Sequence, residues 1–510
     1  MNYQTKQYDT IDIIFQAKFD SNFNPFTNLT FEAIIEKDGV FLQNSFGVYN
    51  GETDFLLRLS FCEAGLYTYK ILSNLSDLDG QIGEISVIEN NAKHGPLALN
   101  SNNKTKLYYK DGSPYQLYAF ECDWLFAIDY HEKTNQLQQL IDYFSDNHVN
   151  QIIMNVYANN LRFGGEAWIL DENMDPAHNL GDDESIFPFK GSNSNPDFTA
   201  LNVDFFKHLD KVIRLLDDKN IISHLMIYVW NKQVNWPEAY SVLDDMYFDY
   251  VVKRYAAFSN IFWDVSKEAL AYGKCDANYI IDRTLRLKKM DPYKRLITVH
   301  DYGFCKKYPD LVDVISIQTW ALGIYEETRK LTALYPNKPV FNLEHGGYEE
   351  GQYQVFTGHY TNAKTCLKRN YEIMFAGAYS AYYWQPLSWC ITVMPWLATP
   401  QPHFDYYKNM IDLFTTYDYS QLYPINKFGK FSGGGYLLAN KENTLVLGYI
   451  PKENYCIGIG YIEHYKGIGT YCFFNTITGE YTQKTKLDGK QRKIISPFED
   501  DTIIIIDMRE

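Results

Sequence analysis

Two glutamates stand where apolar, strand-like segments end, and a pair of carboxyl groups can perform acid–base and nucleophilic chemistry. Glu268 follows the apolar part of "NIFWDVSKEAL", and Glu344 follows that of "KPVFNLEHGGYEEG". Branched and aromatic residues of this kind are typical of buried strands. Either glutamate taken alone is better explained as a solvated or ion-paired strand end.

Taken together, the two glutamates fit the cleavage of a glycosidic bond. Two carboxyl groups about 5–5.5 Å apart support the retaining reaction, in which one protonates the leaving oxygen and the other attacks the anomeric carbon. The first must be protonated near neutral pH and the second ionised, so their surroundings must differ. After Glu344, the glycines Gly346 and Gly347 predict a tight turn that leaves this carboxyl group uncovered.

Eight short apolar segments would position this pair, and most are separated by amphipathic helical patterns. This alternation predicts a parallel sheet covered on both faces, and eight repeats favour a (β/α)8 barrel over an open doubly wound sheet. No GxGxxG follows the first segment and no GxxxxGK[ST] occurs, which excludes the usual dinucleotide and P-loop sites. The segments are "YQLYAF" at 115, "NQIIMNVY" at 150, "SHLMIYVW" at 223, "NIFWDVS" at 260, "RLITVHD" at 295, "VDVISIQ" at 312, "PVFNLE" at 339 and "GAYSAYYWQ" at 377.

Strand-like segments separated by Asn, Gly and Asp turns lie on both sides of this central part, a pattern typical of β-sandwiches. We therefore predict an α/β chain with three domains. An N-terminal β-sandwich covers residues 1–92, the (β/α)8 barrel covers 93–418, and a C-terminal β-sandwich covers 419–510.

Polar and aromatic residues at the strand ends are candidates for binding a substrate, because barrel active sites lie at the carboxyl ends of the strands. Amides and acids suit sugar hydroxyls and flat rings suit sugar faces, so the predicted substrate is a carbohydrate. Besides the two glutamates, the candidates are Trp124, Asn155, Tyr228, Trp230, Lys267, His300, Gln318, Trp320, His345 and Trp384. Glu121, Asp123, Tyr157, Asn231, Asp301 and Gln385 stand at the same strand ends.

Some of these residues also have purely structural explanations. His300, followed by Asp301, could orient a sugar or tune Glu344, and a histidine hydrogen-bonded in the core explains it equally well. Trp384 could be a sugar platform or part of the core. Asp264, inside the fourth strand, points either inward or to a buried arginine.

The segment over about residues 157–200 is long enough for a functional loop. It carries Arg162, which could bind an acidic sugar, although a solvated loop arginine is the simpler explanation. It also carries Trp168 and the "FPF" at 187–189, which could form one wall of a cleft.

Composition limits the possible partners and locations. A net charge of −16 and a pI of about 5.2 weigh against nucleic acid, whose binding depends on Lys and Arg. The sequence contains no apolar run of about 18 residues, so we predict no membrane span. The eight cysteines form no CxxC pair and the start shows no signal peptide, so we expect reduced thiols and a cytoplasmic protein.

Segments along almost the whole chain resemble one group of bacterial glycoside hydrolases. They are "HGPLALNSNNKTKLYYKDGSPY", "NIFWDVSKEAL", "SIQTW", "NLEHGGYE" and "YCFFNTITGEY". The group combines an N-terminal sandwich of the DUF5060 type, a barrel of the DUF4038 or apiosidase-like type within clan A, and a C-terminal sandwich similar to a domain family named for collagen binding. The resemblance implies that Glu268 is the acid/base and Glu344 the nucleophile, with no cofactor.

The chain departs from the clan A pattern directly before Glu268. Clan A enzymes usually have an asparagine there that bonds the sugar 2-hydroxyl, whereas this chain has Lys267. A lysine beside Glu268 would lower the pKa of that carboxyl group and oppose its acid role. It could instead bind a carboxylate or hydroxyl group of the substrate.

Two other classes of protein compete with a glycosidase. A non-catalytic barrel could keep the aromatic mouth and bind carbohydrate without cleaving it, although the intact glutamate pair argues against this. A metal-dependent hydrolase could use His300, His345 and nearby acids. Metal barrels generally carry His-x-His on the first strand, which is absent here, so we predict no metal.

Overall fold

The computed structural model describes the chain except for a few residues. These are 133, 160–161, 164–165, 168–172, 182, 274, 354–359, 426–434, 459–467, 491–492 and 510, together with the side chains of 162, 163, 166, 167, 302 and 360. At the centre lies a parallel sheet of eight strands. In chain order they are β1 (Ala119–Glu121), β2 (Gln151–Asn155), β3 (Ile222–Val229), β4 (Ile261–Lys267), β5 (Ile297–His300), β6 (Ile315–Gln318), β7 (Val340–Glu344) and β8 (Tyr379–Tyr382).

This sheet closes on itself. Hydrogen bonds connect the strands in the order β5-β4-β3-β2-β1-β8-β7-β6. Between the two remaining edges, the Asp313 N–H donates to the Ile297 carbonyl at 2.8 Å, and the hydroxyls of Thr298 and Ser316 lie 2.5 Å apart. The prediction of a closed barrel of eight parallel strands is therefore confirmed, and each predicted segment overlaps one barrel strand.

A principal helix follows each barrel strand. The eight are α1 (Gln136–Asp146), α2 (Val203–Asp218), α3 (Val242–Tyr255), α4 (Ala277–Met290), α5 (Tyr302–Lys307), α6 (Ile324–Leu334), α7 (Ala363–Phe375) and α8 (Phe404–Thr416). In α2 the buried Phe205, Leu209 and Ile213 recur at i, i+4 spacing, which produces one apolar stripe for packing on the sheet. Of the helices that the structure describes, none combines the length and apolarity that crossing a membrane requires.

The N-terminal region is β-rich, and its strands enclose a core of their own. Its strands are Asn2–Lys6, Ile11–Gln16, Phe31–Lys37, Val40–Tyr49, Asp54–Leu59, Gly65–Ser73 and Ile82–Ile88. Val40–Tyr49 pairs on one side with Phe31–Lys37 and on the other with Asp54–Leu59. Rings from distant strands meet in one core, since Phe15 lies 5.7 Å from Phe31 and 6.1 Å from Tyr69. A hairpin of Leu97–Asn100 and Asn103–Tyr109 then leads into the barrel.

The C-terminal region is also β-rich. One sheet contains Tyr423–Pro424, Tyr436–Ala439, Leu445–Ile450, Thr470–Asn475, Thr485–Lys486 and Thr502–Asp507, and Cys456–Gly458 pairs with Lys493–Ile495. Thr502–Asp507 lies inside the sheet, with partners on both sides. Ile504 and Ile506 belong to the region's own core, whereas Ile503 and Ile505 join the core of the barrel. A strand covered on both faces explains the run of four isoleucines.

Two buried arginines and their carboxylate partners join the N-terminal region to the barrel. Arg58 donates to Asp12 at 2.8 Å and to Asp210 of α2 at 2.9 Å, and Arg254 of α3 donates to Asp210 at 2.7 Å. Burial by itself would raise the pKa of Asp210, but Arg58 and Arg254 outweigh it and lower the pKa to about 2. We call Asp12, Arg58, Asp210 and Arg254 the interdomain ion cluster.

Candidate active site

The two glutamates lie at the carboxyl ends of β4 and β7, as predicted, and irregular strand ends position them. The register between β4 and β5 shifts between Asp264 and Lys267, and Gln318 of β6 is paired with Glu344 after a similar shift. Glu268 has φ +56°, which is uncommon for a residue other than glycine. Such bulges redirect side chains beside active sites.

Hydrogen bonds fix the unusual backbone at Glu268. Its N–H donates to the His300 carbonyl at 3.0 Å. Two residues later, the Leu270 N–H donates to Asp301 Oδ2 at 2.9 Å. Asp301, one of the predicted strand-end residues, therefore holds the loop that carries Glu268 and does not itself face the glutamate pair.

The two carboxyl groups are close together and buried. One oxygen of Glu268, one oxygen of Glu344 and one ring nitrogen of His300 all lie within 4.8 Å of one another. Gln318 Nε2 donates to Glu268 Oε1 at 2.8 Å, and Glu268 Oε2 makes no hydrogen bond to any described residue. The Tyr348 hydroxyl donates to Glu344 Oε1 at 2.5 Å.

Opposing influences act on the ionisation of Glu344. Burial and the neighbouring Glu268 raise the pKa of Glu344 to about 7. The ammonium groups of Lys267 and Lys232 and the hydrogen bond from Tyr348 act in the opposite direction. The raising influences outweigh the lowering ones, so the carboxyl group of Glu344 ionises near neutral pH.

His300 is buried beside Glu344, with Nε2 3.7 Å from Glu344 Oε2. Neither ring nitrogen hydrogen-bonds to a residue in the described part of the chain. Burial and the Lys267 ammonium hold its pKa well below the usual value, so the ring is neutral. Among the described residues, Glu268, His300 and Glu344 form the one group whose ligand atoms could hold a metal ion.

Lys267 turns away from Glu268 towards the first strand. Its Nζ donates to Glu121 Oε1 at 2.6 Å and lies 3.4 Å from Asp123 Oδ2, and all three side chains are buried. Burial would lower the pKa of Lys267, but Asp123 and Glu121 outweigh it and raise the pKa well above its usual value. The ammonium group is therefore charged and already paired with two protein carboxyl groups. Its predicted contact with substrate stays a prediction.

Two predicted substrate contacts, Tyr228 and His345, hydrogen-bond to other parts of the protein. The Tyr228 hydroxyl donates to Asp244 Oδ1 of α3 at 2.5 Å, and the Tyr228 ring packs 6.1 Å from Tyr279 of α4. His345 Nε2 bonds the Ala381 carbonyl of β8 at 2.9 Å, and burial and Arg369 lower its pKa to about 3. Both side chains have protein hydrogen-bond partners, and their assignment as substrate contacts stays a prediction.

The predicted tryptophans differ in exposure. Trp124 and Trp384 are almost fully buried, which for Trp384 favours the core-packing explanation. Trp230 and Trp320 are partly exposed. Trp320 packs on Gly346, where φ is +72° and a Cβ would come within 3.0 Å of the indole, so both the turn and the close approach require glycine there.

The remaining predicted residues are placed as follows. Asn155 is buried, and neither of its amide atoms has a hydrogen-bond partner among the described residues. Asp264 points inward, where Oδ2 lies 3.0 Å from His224 and Oδ1 accepts the His300 N–H. Tyr157 and Phe187 pack together in the core and so form no cleft wall. Trp168 and the side chain of Arg162 lie outside the described residues.

Three side chains at the site were not among the predicted residues. Tyr348 contacts Glu344, and Tyr383 donates to Glu121 and to the Leu343 carbonyl. Lys232 lies buried 3.5 Å from Asp123 Oδ2. Tyr348 stands four residues after Glu344 in "EHGGYE", and a loop so tightly turned back could have indicated the contact. Lys232 follows β3 in a loop that carried no comparable signal.

The fold and the paired glutamates define a barrel of the glycoside hydrolase type. A family model described as "Apiosidase-like, catalytic domain" matches residues 101–392, which is more than half of the chain. The chain therefore belongs to the apiosidase-like family, as the resemblance in its sequence implied. No curated protein matches it.

Two solved structures from Bacteroides vulgatus share the fold. One, described as "a putative glycoside hydrolase", is 17% identical, with a TM-score of 0.77 and 99% of each chain covered. The other, described as a glycoside hydrolase family 5 protein, is 15% identical, with a TM-score of 0.58 over 82% of this chain and 95% of the other. The first likeness extends through both β-rich ends of the chain.

Proposed function

We propose that the protein is a retaining glycoside hydrolase that cleaves O-glycosidic bonds in oligo- or polysaccharides. The observation that carries this proposal is the approach of the Glu268 and Glu344 oxygens to within 4.8 Å in the barrel mouth. Retaining enzymes place their carboxyl groups about 5–5.5 Å apart, whereas inverting enzymes need about 6.5–9.5 Å to admit a water molecule. The short separation supports double displacement.

The surroundings of the pair support Glu344 as nucleophile and Glu268 as acid/base. Glu344 accepts the Tyr348 hydroxyl, and two ammonium groups favour its charged form. Glu268 receives a single amide N–H from Gln318 among the described residues. The Glu344 carboxylate attacks the anomeric carbon while Glu268 gives its proton to the leaving oxygen. Water then cleaves the glycosyl ester and returns a proton to Glu268.

The lysine before Glu268 is compatible with these roles. Lys267 shares its ammonium group with Glu121 and Asp123, so its charge is largely compensated there. We infer that Lys267 takes the place of the usual asparagine without providing its hydrogen bond to the sugar 2-hydroxyl.

Intact-mass measurement after incubation with a panel of 2-deoxy-2-fluoro glycosyl fluorides tests the proposal. These reagents form the glycosyl-enzyme but release it slowly. We expect a mass gain that peptide mapping places on Glu344, and no gain in Glu344→Gln. Glu372→Gln is the matched control, because Glu372 is a mostly buried carboxyl group on α7, outside the barrel mouth. Labelling of another residue would overturn the assignment of roles.

The cluster of Glu268, His300 and Glu344 favours one further candidate, a metal-dependent hydrolase. We propose that catalysis needs no metal, because the two carboxyl groups complete the reaction by themselves. Full activity after dialysis against EDTA is the expected result. Loss of activity that zinc restores would instead support the metal-dependent enzyme. If the panel binds without turnover or labelling, the protein is a carbohydrate-binding barrel.

A further inference from the structure

A buried ion pair that forms no hydrogen bond to either glutamate lies beside them. Lys232 Nζ is 3.5 Å from Asp123 Oδ2, and both side chains are at most 1% exposed. The ammonium group lies 5.1 Å from the centre of the Trp389 ring and 5.8 Å from that of Trp124. Aromatic faces attract a cation, and the two rings form the walls of a recess around this ammonium group.

This pair is close to the reaction centre. The Trp389 ring that contacts Lys232 lies 5.6 Å from the ring of Tyr348. Tyr348 in turn donates its hydroxyl to Glu344. On the other side, Asp123 is bound to Lys267, the residue directly before Glu268. A sugar whose anomeric carbon meets Glu344 would therefore present its ring hydroxyls to this recess.

The recess contains polar atoms without protein partners. Asp123 Oδ1 and both amide atoms of Asn155 are buried and hydrogen-bond to no residue that the structure describes. The Asn155 N–H donates to the Asp123 carbonyl, so the two residues are neighbours. Buried polar atoms nearly always have partners, and orphaned ones in a functional cleft indicate a ligand. A carboxylate oxygen accepts from a hydroxyl, and an ammonium group donates to one.

We propose that Asp123 and Lys232 grip two adjacent hydroxyl groups of the sugar bound next to Glu344, and that Asn155 completes this subsite. The substrate is thus a glycoside whose terminal sugar is neutral and has a free vicinal diol. The proposal rests on the proposed glycosidase function and adds the substrate class. Recognition by paired acid and base is specific for diols, because loss of either hydroxyl leaves a buried charge unsatisfied.

The charges around the recess favour a neutral sugar over an acidic one. Lys232 and Lys267 both face carboxyl groups, those of Asp123 and Glu121. No ammonium group of this pair is left over for a substrate carboxylate. A uronic acid would add a negative charge beside Asp123 and Glu344, which costs binding energy in a buried site.

Calorimetric titration with free sugars tests the subsite. The panel contains neutral monosaccharides, their monodeoxy analogues and the corresponding uronic acids, applied to the full chain and to Lys232→Met and Asp123→Asn. We expect both variants to bind the best neutral sugar about tenfold or more weakly. Removal of one hydroxyl of the diol should weaken binding to the wild type and have little further effect in Lys232→Met.

Lys106→Met is the matched control. Lys106 is 1% exposed and lies over the Tyr419 ring, near Tyr379 at the opposite, amino-terminal end of β8. Its removal deletes a buried lysine without touching the mouth, so sugar affinity should stay within about twofold of the wild type. Thermal melting verifies that each variant folds. If Lys232→Met does not fold, the comparison of full and deoxy sugars on the wild type decides.

The outcomes separate this inference from the proposed function. Tighter binding of uronic acids, equal affinities in the variants, or no binding of any neutral sugar would overturn the subsite. Labelling of Glu344 by fluorosugars would persist in that case if the glycosidase proposal is correct. Conversely, diol-dependent binding through Lys232 with no labelling of Glu344 would support the subsite and reject the retaining mechanism.

Discussion

At the scale of single residues, the hydrogen bond from Tyr348 to Glu344 opposes the burial and the Glu268 charge that raise the pKa of the proposed nucleophile. A hydroxyl that donates to a carboxylate favours the charged form and lowers the carboxyl pKa. Tyr348→Phe removes this donor and leaves the ring in place. We expect kcat/KM to fall by about 10- to 100-fold and the acid limb of its pH profile to move to higher pH.

Tyr371→Phe is the control for this variant. Tyr371 is buried on α7, and its hydroxyl has no hydrogen-bond partner in the described part of the chain. Its pH profile should match that of the wild type. An unchanged acid limb in Tyr348→Phe would show that the hydroxyl does not influence Glu344.

The pH dependence of the unmodified enzyme follows from the raised pKa of Glu344. Burial and Glu268 raise this pKa to about 7. A nucleophile must be ionised, so activity should be lost as pH falls through about 7. Above that pH, ionisation of Glu344 should no longer limit the rate. Rates over pH 5–9 with one aryl glycoside measure the limb. A midpoint near the ordinary value of 4.5 would contradict the described environment.

The position of the two glutamates at strand ends could be predicted from the sequence, because a charge that closes a buried strand is a local pattern. The sequence did not predict the direction of the lysine side chain at 267. That direction depends on Glu121 and Asp123, which lie far away in the chain and meet it only when the barrel closes. Lys232 was missed for the same reason.

At the scale of elements, the loop after β4 places Glu268 through Asp301. The Leu270 N–H donates to Asp301 Oδ2, and this bond stabilises the backbone that holds Glu268 at positive φ. Asp301→Ala removes the acceptor, so we expect the acid to be misplaced. The rate should fall by about 10- to 100-fold for glycosides with poor leaving groups.

A second substrate separates positioning of the acid from general damage. Dinitrophenyl glycosides need little protonation on departure, so Asp301→Ala should form the glycosyl-enzyme from them with nearly the wild-type kcat/KM. Asp276→Ala is the control, since Asp276 is at the far end of this loop from Glu268, where it caps α4 by accepting the Tyr279 N–H. Equal losses on both substrates would indicate that Asp301 does not act through Glu268.

The eight strands and their order could be predicted from apolar runs, because strands of a closed parallel sheet are buried on both faces. The direction of single side chains near the strand ends could not. The register shift in β4 and the contact of Tyr228 with Asp244 arise from packing between strands and helices. Neither feature can be recognised from the local pattern of apolar and polar residues.

At the scale of the whole molecule, the interdomain ion cluster joins the N-terminal region to the barrel. Asp210 is buried between Arg58 and Arg254, which lower its pKa from 3.8 to about 2. Its contribution to stability is therefore complete above about pH 4 and lost as pH falls through about 2. Asp210→Asn should lower the free energy of unfolding by about 3–5 kcal/mol at neutral pH.

Calorimetric unfolding at pH 7 and pH 3 measures this contribution. The gap in melting temperature between wild type and Asp210→Asn should narrow between these pH values, because below about pH 4 the unfolded wild type binds a proton at Asp210 that the folded protein does not bind. Asp38→Asn is the control, since Asp38 is an exposed turn residue whose positive φ asparagine tolerates. A gap that stays constant with pH would contradict the role of Asp210.

The β-rich character of both ends was predictable from short, evenly spaced strands. How the ends attach was not, because Arg58 and its partners lie on separate parts of the chain. The boundaries at about 92 and 418 remain predictions. The core of the barrel includes side chains from both β-rich regions, so these boundaries do not separate independent cores.

The position of Thr502–Asp507 has a consequence for how the protein is made. This strand lies inside its sheet and contributes to two cores, yet a ribosome synthesises it after every other strand of that sheet. Until this strand emerges from the ribosome, Leu445–Ile450 and Thr470–Asn475 lack the strand with which both of them pair. The barrel residues that pack against it also stay exposed to solvent. A premature stop before residue 502 would thus leave a protein that exposes apolar surface and is recognised by chaperones and proteases. This would happen even though the catalytic barrel is encoded in full.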